Sequence, residues 1–257
     1  MILRQSVLIL GFISLMISCK KDDPSLSPAP VKTCRISEIK VITENNSSYD
    51  VSLSYDEKGR LIQYKELTGV SLDTYTYEYS GDVITITIYD ANGDFFAKRI
   101  NTLNDADLVT KASISWHHGD YAASKYYYTH DNYLLAIVGI DSLGNRVGDS
   151  TYFEVRDGNI YRSVSTSSGR EIHFEYYDDL LWQEGEPDTH NQLISLGAFF
   201  RKNKNLLRRA QSHVPMGDTT FYFDHHYYYE FDNEGKIVRT FNDTASTQGH
   251  NYMWDCP

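Results

Sequence analysis

The sequence predicts an all-β fold, a long antiparallel meander of about fifteen strands that curls into a barrel or half-barrel. Three observations predict it. Apolar and polar residues alternate with period 2 in many short segments. A turn of the form Asp-x-x-Gly recurs between those segments. Tyrosine, which suits a pleated and half-buried surface, supplies 21 of the 257 residues.

The alternation is clearest in segments 51–55, 75–79 and 84–88, where valine, leucine, tyrosine and isoleucine alternate with serine, threonine or glutamate. Neighbouring side chains on a strand point to opposite faces, so each segment places its apolar residues on one face of a sheet. A tyrosine ring can be buried on that face while its hydroxyl reaches a polar partner.

The recurring turn explains how these strands are joined. The segment Tyr55–Leu61 returns as Phe231–Ile237, each with Asp followed three residues later by Gly. Asp at the first turn position can accept hydrogen bonds from the backbone ahead, and Gly at the fourth can adopt positive φ. The turn-defining residues are therefore Asp56, Gly59, Asp232 and Gly235.

One interval breaks the strand pattern. Residues 184–187 are acidic and typical of a turn, and residues 190–200 show no clean alternation. We expect one short helical or irregular insertion here within a single β-meander domain that covers residues 34–257.

The N-terminal segment has the features of a lipoprotein signal peptide, residues 1–18. Arg4 precedes an apolar stretch from Val7 to Ile17, which is too short to span a bilayer. The sequence Met-Ile-Ser-Cys at 16–19 resembles the bacterial lipobox, although Met16 stands where leucine is commonest. We expect lipidation of Cys19, or alternatively an ordinary secretory signal with an unrelated cysteine.

Residues 19–33 form the predicted tether, because three prolines within 24–30 prevent a helix or a central strand. The start Cys-Lys-Lys-Asp-Asp resembles lipoproteins of the Bacteroidetes. The expected location is the outer membrane, at its periplasmic face or at the cell surface, with the membrane contacted through the N-terminal lipid only.

Charge and cysteines limit the partners and the compartment. The formal net charge is −11, and removal of residues 1–18, which contain one arginine and no acid, makes it −12. Such a charge argues against nucleic acid as a partner. Cys34 and Cys256 remain after Cys19 is lipidated, and an exported chain favours a disulfide between them, although two separate thiols are the alternative.

No motif predicts catalysis, and we expect the protein not to be an enzyme and to hold no cofactor and no metal. The histidine pairs 117–118 and 225–226 alternate across a strand, so they do not converge on one metal. Acids at 178–179 and 184–188 are more typical of a solvated edge than of a glycosidase pair. The aromatic side chains that we consider for ligand stacking, with packing as the alternative role, are Trp116, Trp182, Tyr127 and Tyr228.

The Tyr-Asp-x-x-Gly-Arg-Leu turns resemble YD repeats. The order of several pieces is similar to a Bacteroidetes lipoprotein family of unknown function that is described as having a porin-like fold. These pieces are Cys34–Ile39, Tyr55–Leu61, Val155–Ile160, Lys204–Leu207 and Tyr229–Arg239. The resemblance covers residues 34–257 and implies a long sheet curled into a barrel. It implies no activity.

A porin-like shape need not mean a transmembrane barrel, which shows an outward apolar band. Several strands carry charges or hydroxyls on both faces, and the mean hydropathy is −0.46. The leading hypothesis is a lipid-anchored envelope module that binds a ligand or partner, such as a glycan or an envelope protein. The alternatives are a structural envelope protein and a glycan hydrolase with paired carboxylates.

Overall fold

The computed structural model describes residues 34–43, 48–68, 71–183, 203–216, 219–242 and 249–256. Thr33–Pro257 form one compact unit. The described residues form sixteen strands: β1 Arg35–Ile42, β2 Ser48–Tyr55, β3 Leu61–Thr68, β4 Ser71–Ser80, β5 Val83–Tyr89, β6 Phe95–Leu103, β7 Val109–Trp116, β8 Tyr121–Tyr128, β9 Leu134–Ile140, β10 Arg146–Arg156, β11 Asn159–Ser165, β12 Glu171–Leu181, β13 Asn205–Met216, β14 Thr219–Phe231, β15 Ile237–Asn242 and β16 Gly249–Asp255.

The sixteen strands form a closed barrel in which every strand pairs antiparallel with its sequence neighbours and β1 pairs with β16. The predicted all-β meander is therefore confirmed, with full closure in place of a half-barrel. The expected insertion at 184–200 lies outside the described residues. Among the described residues, no helix has the length and apolarity needed to cross a bilayer.

The two ends of the barrel differ, and we name them by their contents. The clasp end carries the first residues of β1 and the last residues of β16, where Cys34 and Cys256 form a disulfide with Cα atoms 4.3 Å apart. The rim end is the opposite end, where the turns at 90–94, 117–120 and 141–145 lie. The disulfide joins positions 222 residues apart in sequence, so it closes the seam between the first and last strands.

The Asp-x-x-Gly turns have one repeated geometry. Asp56 accepts hydrogen bonds through Oδ1 from the backbone N–H groups of Lys58 and Arg60, at 2.9 and 2.8 Å, and Gly59 has φ of 74°. Asp232 accepts in the same way from Glu234 and Lys236, and Gly235 has φ of 81°. The same pattern recurs at the turns that begin with Asp90, Asn104 and Asp141.

A ring of aliphatic side chains lines the interior at the clasp end. Within its first three residues, each odd-numbered strand carries a valine, leucine or isoleucine that faces inward, and seven of these eight side chains are buried. Their burial shields them from water. The members of this ring, the apolar ring, are Ile36, Leu61, Ile84, Val109, Leu134, Ile160, Leu207 and Ile237.

The backbone of the apolar ring is held by aromatic side chains. In six hairpins an aromatic residue near the end of the even strand donates a hydrogen bond to the carbonyl of the ring residue on the preceding odd strand. At each of these ring residues the strand register shifts, which is the mark of a β-bulge. The six aromatic bonds are Tyr55 to Ile36, Tyr79 to Leu61, Tyr128 to Val109, Tyr176 to Ile160, Tyr229 to Leu207 and Trp254 to Ile237.

In this arrangement several of the abundant tyrosines have a structural role. A bulge disturbs the regular ladder, and a buried carbonyl without a partner is costly. The phenol or indole group supplies that partner while its ring packs inside the barrel. Each repeat of strand, turn and strand therefore contributes one aliphatic side chain and, in six hairpins, one aromatic donor to the clasp end.

Two glycines lie where the backbone of a neighbouring strand comes very close. An added Cβ at Gly139 would lie 2.4 Å from the carbonyl oxygen of Val147, and one at Gly249 would lie 2.4 Å from that of Thr240. Only a residue without a side chain fits such approaches. Gly139 thereby permits the irregular pairing of β9 with β10, whose register shifts between Arg146 and Ser150.

Candidate functional site

The interior face changes in character along the barrel axis. The buried apolar ring lines the clasp end, whereas inward-facing positions toward the rim end carry polar and aromatic side chains that are partly or fully exposed. Phe223 and His225 on β14 stack there with ring centroids 6.4 Å apart, and Phe223 is exposed. The exposed interior positions make the rim end the part of the described barrel best suited to receive a ligand.

Two carboxylates lie side by side on the inner wall toward the rim end. Glu66 on β3 and Asp73 on β4 are paired residues of adjacent strands. Glu66 is also paired with buried Val51 of β2, which places both acids on the interior face. Both side chains are half-buried. Like charges placed opposite each other on a sheet repel, so this pair favours a cation or hydrogen-bond donors between them.

Tyrosines surround this pair of acids. Tyr64 donates a hydrogen bond to Glu66 over 3.1 Å, and its ring packs edge-on against Tyr75 with centroids 5.3 Å apart. Burial, and then the charge of Glu66, raises the pKa of Tyr49 and of Tyr64, and burial together with Asp73 raises that of Tyr75. The three phenols are therefore neutral at pH 7. We call Tyr49, Tyr64, Glu66, Asp73 and Tyr75 the inner recess.

The inner recess has the chemistry of a polar binding site. Carboxylates accept hydrogen bonds in pairs, neutral phenols donate and accept, and aromatic faces stack on apolar surfaces. These groups suit the hydroxyl pairs of a sugar or the ammonium group of an amine. No group of three or more metal-ligating side chains occurs in the described part of the chain.

A second cluster lies on the hairpin tips at the rim end. Five large apolar side chains are exposed there: Phe95 (46%), Phe96 (42%), Tyr121 (51%), Leu143 (85%) and Val147 (45%). His117 packs beside Phe96 with ring centroids 5.7 Å apart, and His118 stacks on Trp116 at 6.4 Å. We call the five apolar residues the rim patch. They lie on three consecutive hairpins, β5–β6, β7–β8 and β9–β10.

The structure does not bring together the four aromatic residues considered for stacking. Trp116 ends β7 at the rim end and packs against the core, whereas Trp182 follows β12 at the clasp end. Tyr127 is exposed on the outer wall of β8, and Tyr228 of β14 stacks on Phe241 of β15 with ring centroids 5.3 Å apart. Of the four, Trp116 alone lies near the rim patch.

The histidine pairs and the acids from the sequence analysis form no reactive constellation among the described residues. His117 and His118 lie at one hairpin tip with ring centroids 5.0 Å apart, and His118 contacts Asp120 at 3.1 Å. His226 contacts Asp224 at 3.6 Å on the outer wall. Asp178 and Asp179 are exposed on β12, and the acids at 184–188 lie outside the described residues.

The inner recess was not predicted from the sequence. Its signal was present in the alternation, since Tyr64 and Glu66 share one face of a strand, as do Asp73 and Tyr75. The pairing of Glu66 with Asp73 depends on the register across the β3–β4 turn, and the sequence does not specify that register. The two acids could therefore be placed on faces but not beside each other.

The outer wall carries a network of paired charges across β10 to β15. Arg162 pairs with Glu154 and, over 2.6 Å, with Glu171. Arg209 pairs with Asp224 over 2.6 Å, and this contact holds the pKa of Asp224 below its usual range. Further pairs of the same network are His173 with Glu171, Arg208 with Glu175, Arg209 with Glu175, and Arg239 with Glu230.

Comparison with solved structures supports the fold. A porin-like protein from Bacteroides uniformis is similar, with a TM-score of 0.62 and 18% sequence identity over 87% of this chain and 99% of that one. A porin-like protein from Bacteroides vulgatus gives a TM-score of 0.42 and 17% identity over 86% and 98%. No protein-family model matches the chain. No curated protein is significantly similar in sequence.

The chain therefore has a porin-like β-barrel fold. At 18% identity this likeness concerns the fold, and function has to be argued from the residues. It agrees with the resemblance to a porin-like Bacteroidetes family that the sequence suggested.

Proposed function

We propose that this protein is a lipid-anchored cell-envelope module that binds a ligand or partner at its rim end and neither conducts solutes nor catalyses a reaction. The observation on which this proposal mainly depends is the contrast between the two ends of the barrel interior. The clasp end is lined by the buried apolar ring, whereas the rim end presents the inner recess and exposed aromatic side chains. The burial of inward-facing side chains at one end favours a cup over a channel.

The residues on the outer wall are those of a barrel whose outer surface is exposed to water. A transmembrane barrel turns apolar side chains outward and leaves its interior polar. Here the apolar clusters lie inside and the charge pairs of β10 to β15 lie outside. Exposed ion pairs contribute little to stability, but placing such charges in hydrocarbon would cost several kcal/mol each.

The proposed anchor fits this arrangement. Cys34, which follows the tether that begins at the proposed lipidated Cys19, lies at the clasp end. The tether would therefore join the barrel at its clasp end. Replacement of Cys19 by Ala should release the protein from the membrane fraction, and continued membrane association of this variant would contradict the anchor.

A binding test uses residues 31–257, which include all sixteen strands and the whole compact unit. Its melting temperature would be measured with a panel of glycans, peptidoglycan fragments and small metabolites. A ligand of the folded state raises the melting temperature by mass action. The shift should disappear in Glu66→Gln/Asp73→Asn and persist in the clasp-end control Asp178→Asn/Asp179→Asn.

The alternative is a structural envelope protein without a small ligand, favoured by the extensive charge pairing of the outer wall. No shift with any compound would favour this alternative. A second measurement tests the water-facing wall directly. The same fragment should be monodisperse in buffer without detergent. Aggregation that only detergent prevents would contradict a water-exposed outer surface.

A further inference from the structure

The rim patch is distinct from the inner recess. Its members lie at hairpin tips and strand ends, and exposed large apolar side chains are uncommon as groups on a surface that has no partner. At the clasp end, the exposed apolar side chains Leu181 and Met253 lie on β12 and β16, which are separated in the barrel, so they do not form such a group.

The size of the rim patch indicates the class of its partner. It extends from β6 to β10, and four strand spacings of about 4.8 Å make an arc of roughly 20 Å. A single sugar ring or amine covers a small part of such an arc. Aromatic and aliphatic side chains distributed over this distance are typical of the core of a protein–protein interface.

The charge around the rim patch indicates the sign of the partner. The turns at 90–94 and 117–120 contain three aspartates and no lysine or arginine, whereas the turn at 141–145 contains one aspartate and lies next to Arg146 and the ammonium group of Lys125. Asp94 and Asp120 lie next to Phe95 and Tyr121 in sequence, and the whole chain has a net charge of −11. A second copy of the protein would place acid against acid. A lysine- or arginine-bearing segment instead gains electrostatic attraction and cation–π contacts with the exposed rings.

We propose that the rim patch docks a basic, apolar segment of another polypeptide. The proposal rests on the proposed function in placing recognition at the rim end, but it uses a different surface from the inner recess. Phe95, Phe96 and Tyr121 supply the aromatic contacts, and Leu143 and Val147 extend the apolar surface. The aspartates of the turns at 90–94 and 117–120 select positive charge.

The test uses the mature chain from residue 20 onward and a short fluorescent peptide of lysine, leucine and serine. Two matched peptides replace all lysines by glutamate or all leucines by serine. Fluorescence anisotropy measures their affinities. We expect the lysine–leucine peptide to bind at least about tenfold more tightly than either matched peptide, which corresponds to about 1.4 kcal/mol. Equal affinities of the three peptides would overturn the proposal.

Variants locate the binding surface. Phe96→Ser/Tyr121→Ser and Asp94→Asn/Asp120→Asn should each weaken the lysine–leucine peptide by about tenfold, because apolar anchors and charge act together. The clasp-end control Leu181→Ser/Asp178→Asn/Asp179→Asn removes equivalent exposed groups and should leave the affinity unchanged. Circular dichroism establishes that each variant is folded. Equal loss in the control would show unspecific attraction to an acidic protein and would overturn the proposal.

Two further readouts separate this proposal from other outcomes. A glycan or metabolite that raises the melting temperature through the inner recess should do so equally in the rim variants, so failure of one proposal is distinguishable from failure of the other. Sedimentation should find a monomer at all concentrations. A concentration-dependent dimer that the Phe96→Ser/Tyr121→Ser variant abolishes would assign the rim patch to self-association and overturn the basic partner.

Discussion

The phenolic hydroxyl of Tyr128 donates a hydrogen bond to the backbone carbonyl of Val109, with 2.6 Å between the two oxygens. Tyr128 belongs to β8 and Val109 begins β7, where the register shifts. Val109 is fully buried, so its carbonyl depends on partners within the protein. This contact is one of the six that hold the apolar ring.

The first prediction concerns this hydrogen bond. Tyr128→Phe keeps the ring and removes the donor, which leaves a buried carbonyl one partner short. We expect the free energy of unfolding to fall by about 1–2 kcal/mol, measured by chemical denaturation. Tyr127→Phe is the matched control, because that side chain is exposed on the outer wall of the same strand, and it should change stability by less than about 0.5 kcal/mol.

The second prediction concerns the disulfide. In Cys34→Ser/Cys256→Ser the unfolded chain is no longer restricted across a separation of 222 residues. Loop-closure entropy gives an upper figure of about 5 kcal/mol for the resulting loss of stability. The melting temperature of the double variant should equal that of the parent protein treated with a reductant. An unfolded, unreduced parent that reacts with a thiol reagent at both cysteines would contradict the disulfide.

The third prediction concerns Gly139. The Cβ of Gly139→Ala would meet the Val147 carbonyl at 2.4 Å, so β9 and β10 would have to separate locally. We expect a loss of about 3 kcal/mol or more in the free energy of unfolding. Gly119→Ala is the control, since an added Cβ there meets nothing within 4 Å and only its φ of 96° is unfavourable. A smaller loss in Gly139→Ala than in the control would contradict the close approach.

The fourth prediction concerns acid stability. Burial opposes ionisation of Asp149, but hydrogen bonds from the Ser167 and Ser150 backbone and from Ser165 outweigh it and lower its pKa to about 2. The unfolded pKa is about 3.9, so the folded-state advantage is complete above that value and is lost as pH falls toward 2.

Asp149→Asn removes this titration. Its melting temperature should therefore fall less than that of the parent between about pH 4 and pH 2. Asp50→Asn, an exposed change on β2, should keep the pH dependence of the parent. Identical curves for Asp149→Asn and the parent would show that the Asp149 contacts do not contribute to acid sensitivity.

Much of the fold follows from local patterns in the sequence. The alternation in segments such as 84–88 assigns strands, and the Asp-x-x-Gly order assigns turns such as Asp56–Gly59, because both depend on residues close in sequence. Closure of the barrel does not follow from them. It depends on the pairing of β1 with β16, and no local pattern distinguishes a closed barrel from a half-barrel.

The candidate site was less predictable than the fold. Glu66 and Asp73 become neighbours through strand register, and the rim patch collects side chains from three hairpins. Trp116 and Trp182 were considered for ligand stacking because of their residue type, yet they lie at opposite ends of the barrel. Residue type alone therefore identifies groups capable of binding, and the topology decides which of them act together.

The pairing of β1 with β16 has a consequence for biosynthesis. β16 follows the other fifteen described strands in the chain, so its residues are synthesised after theirs. The hairpins depend on strands that are neighbours in sequence, but the wall cannot close before β16 is present, because β16 is the partner of β1. Until then, β1 and the most recently formed strand carry unpaired edges that need protection from aggregation.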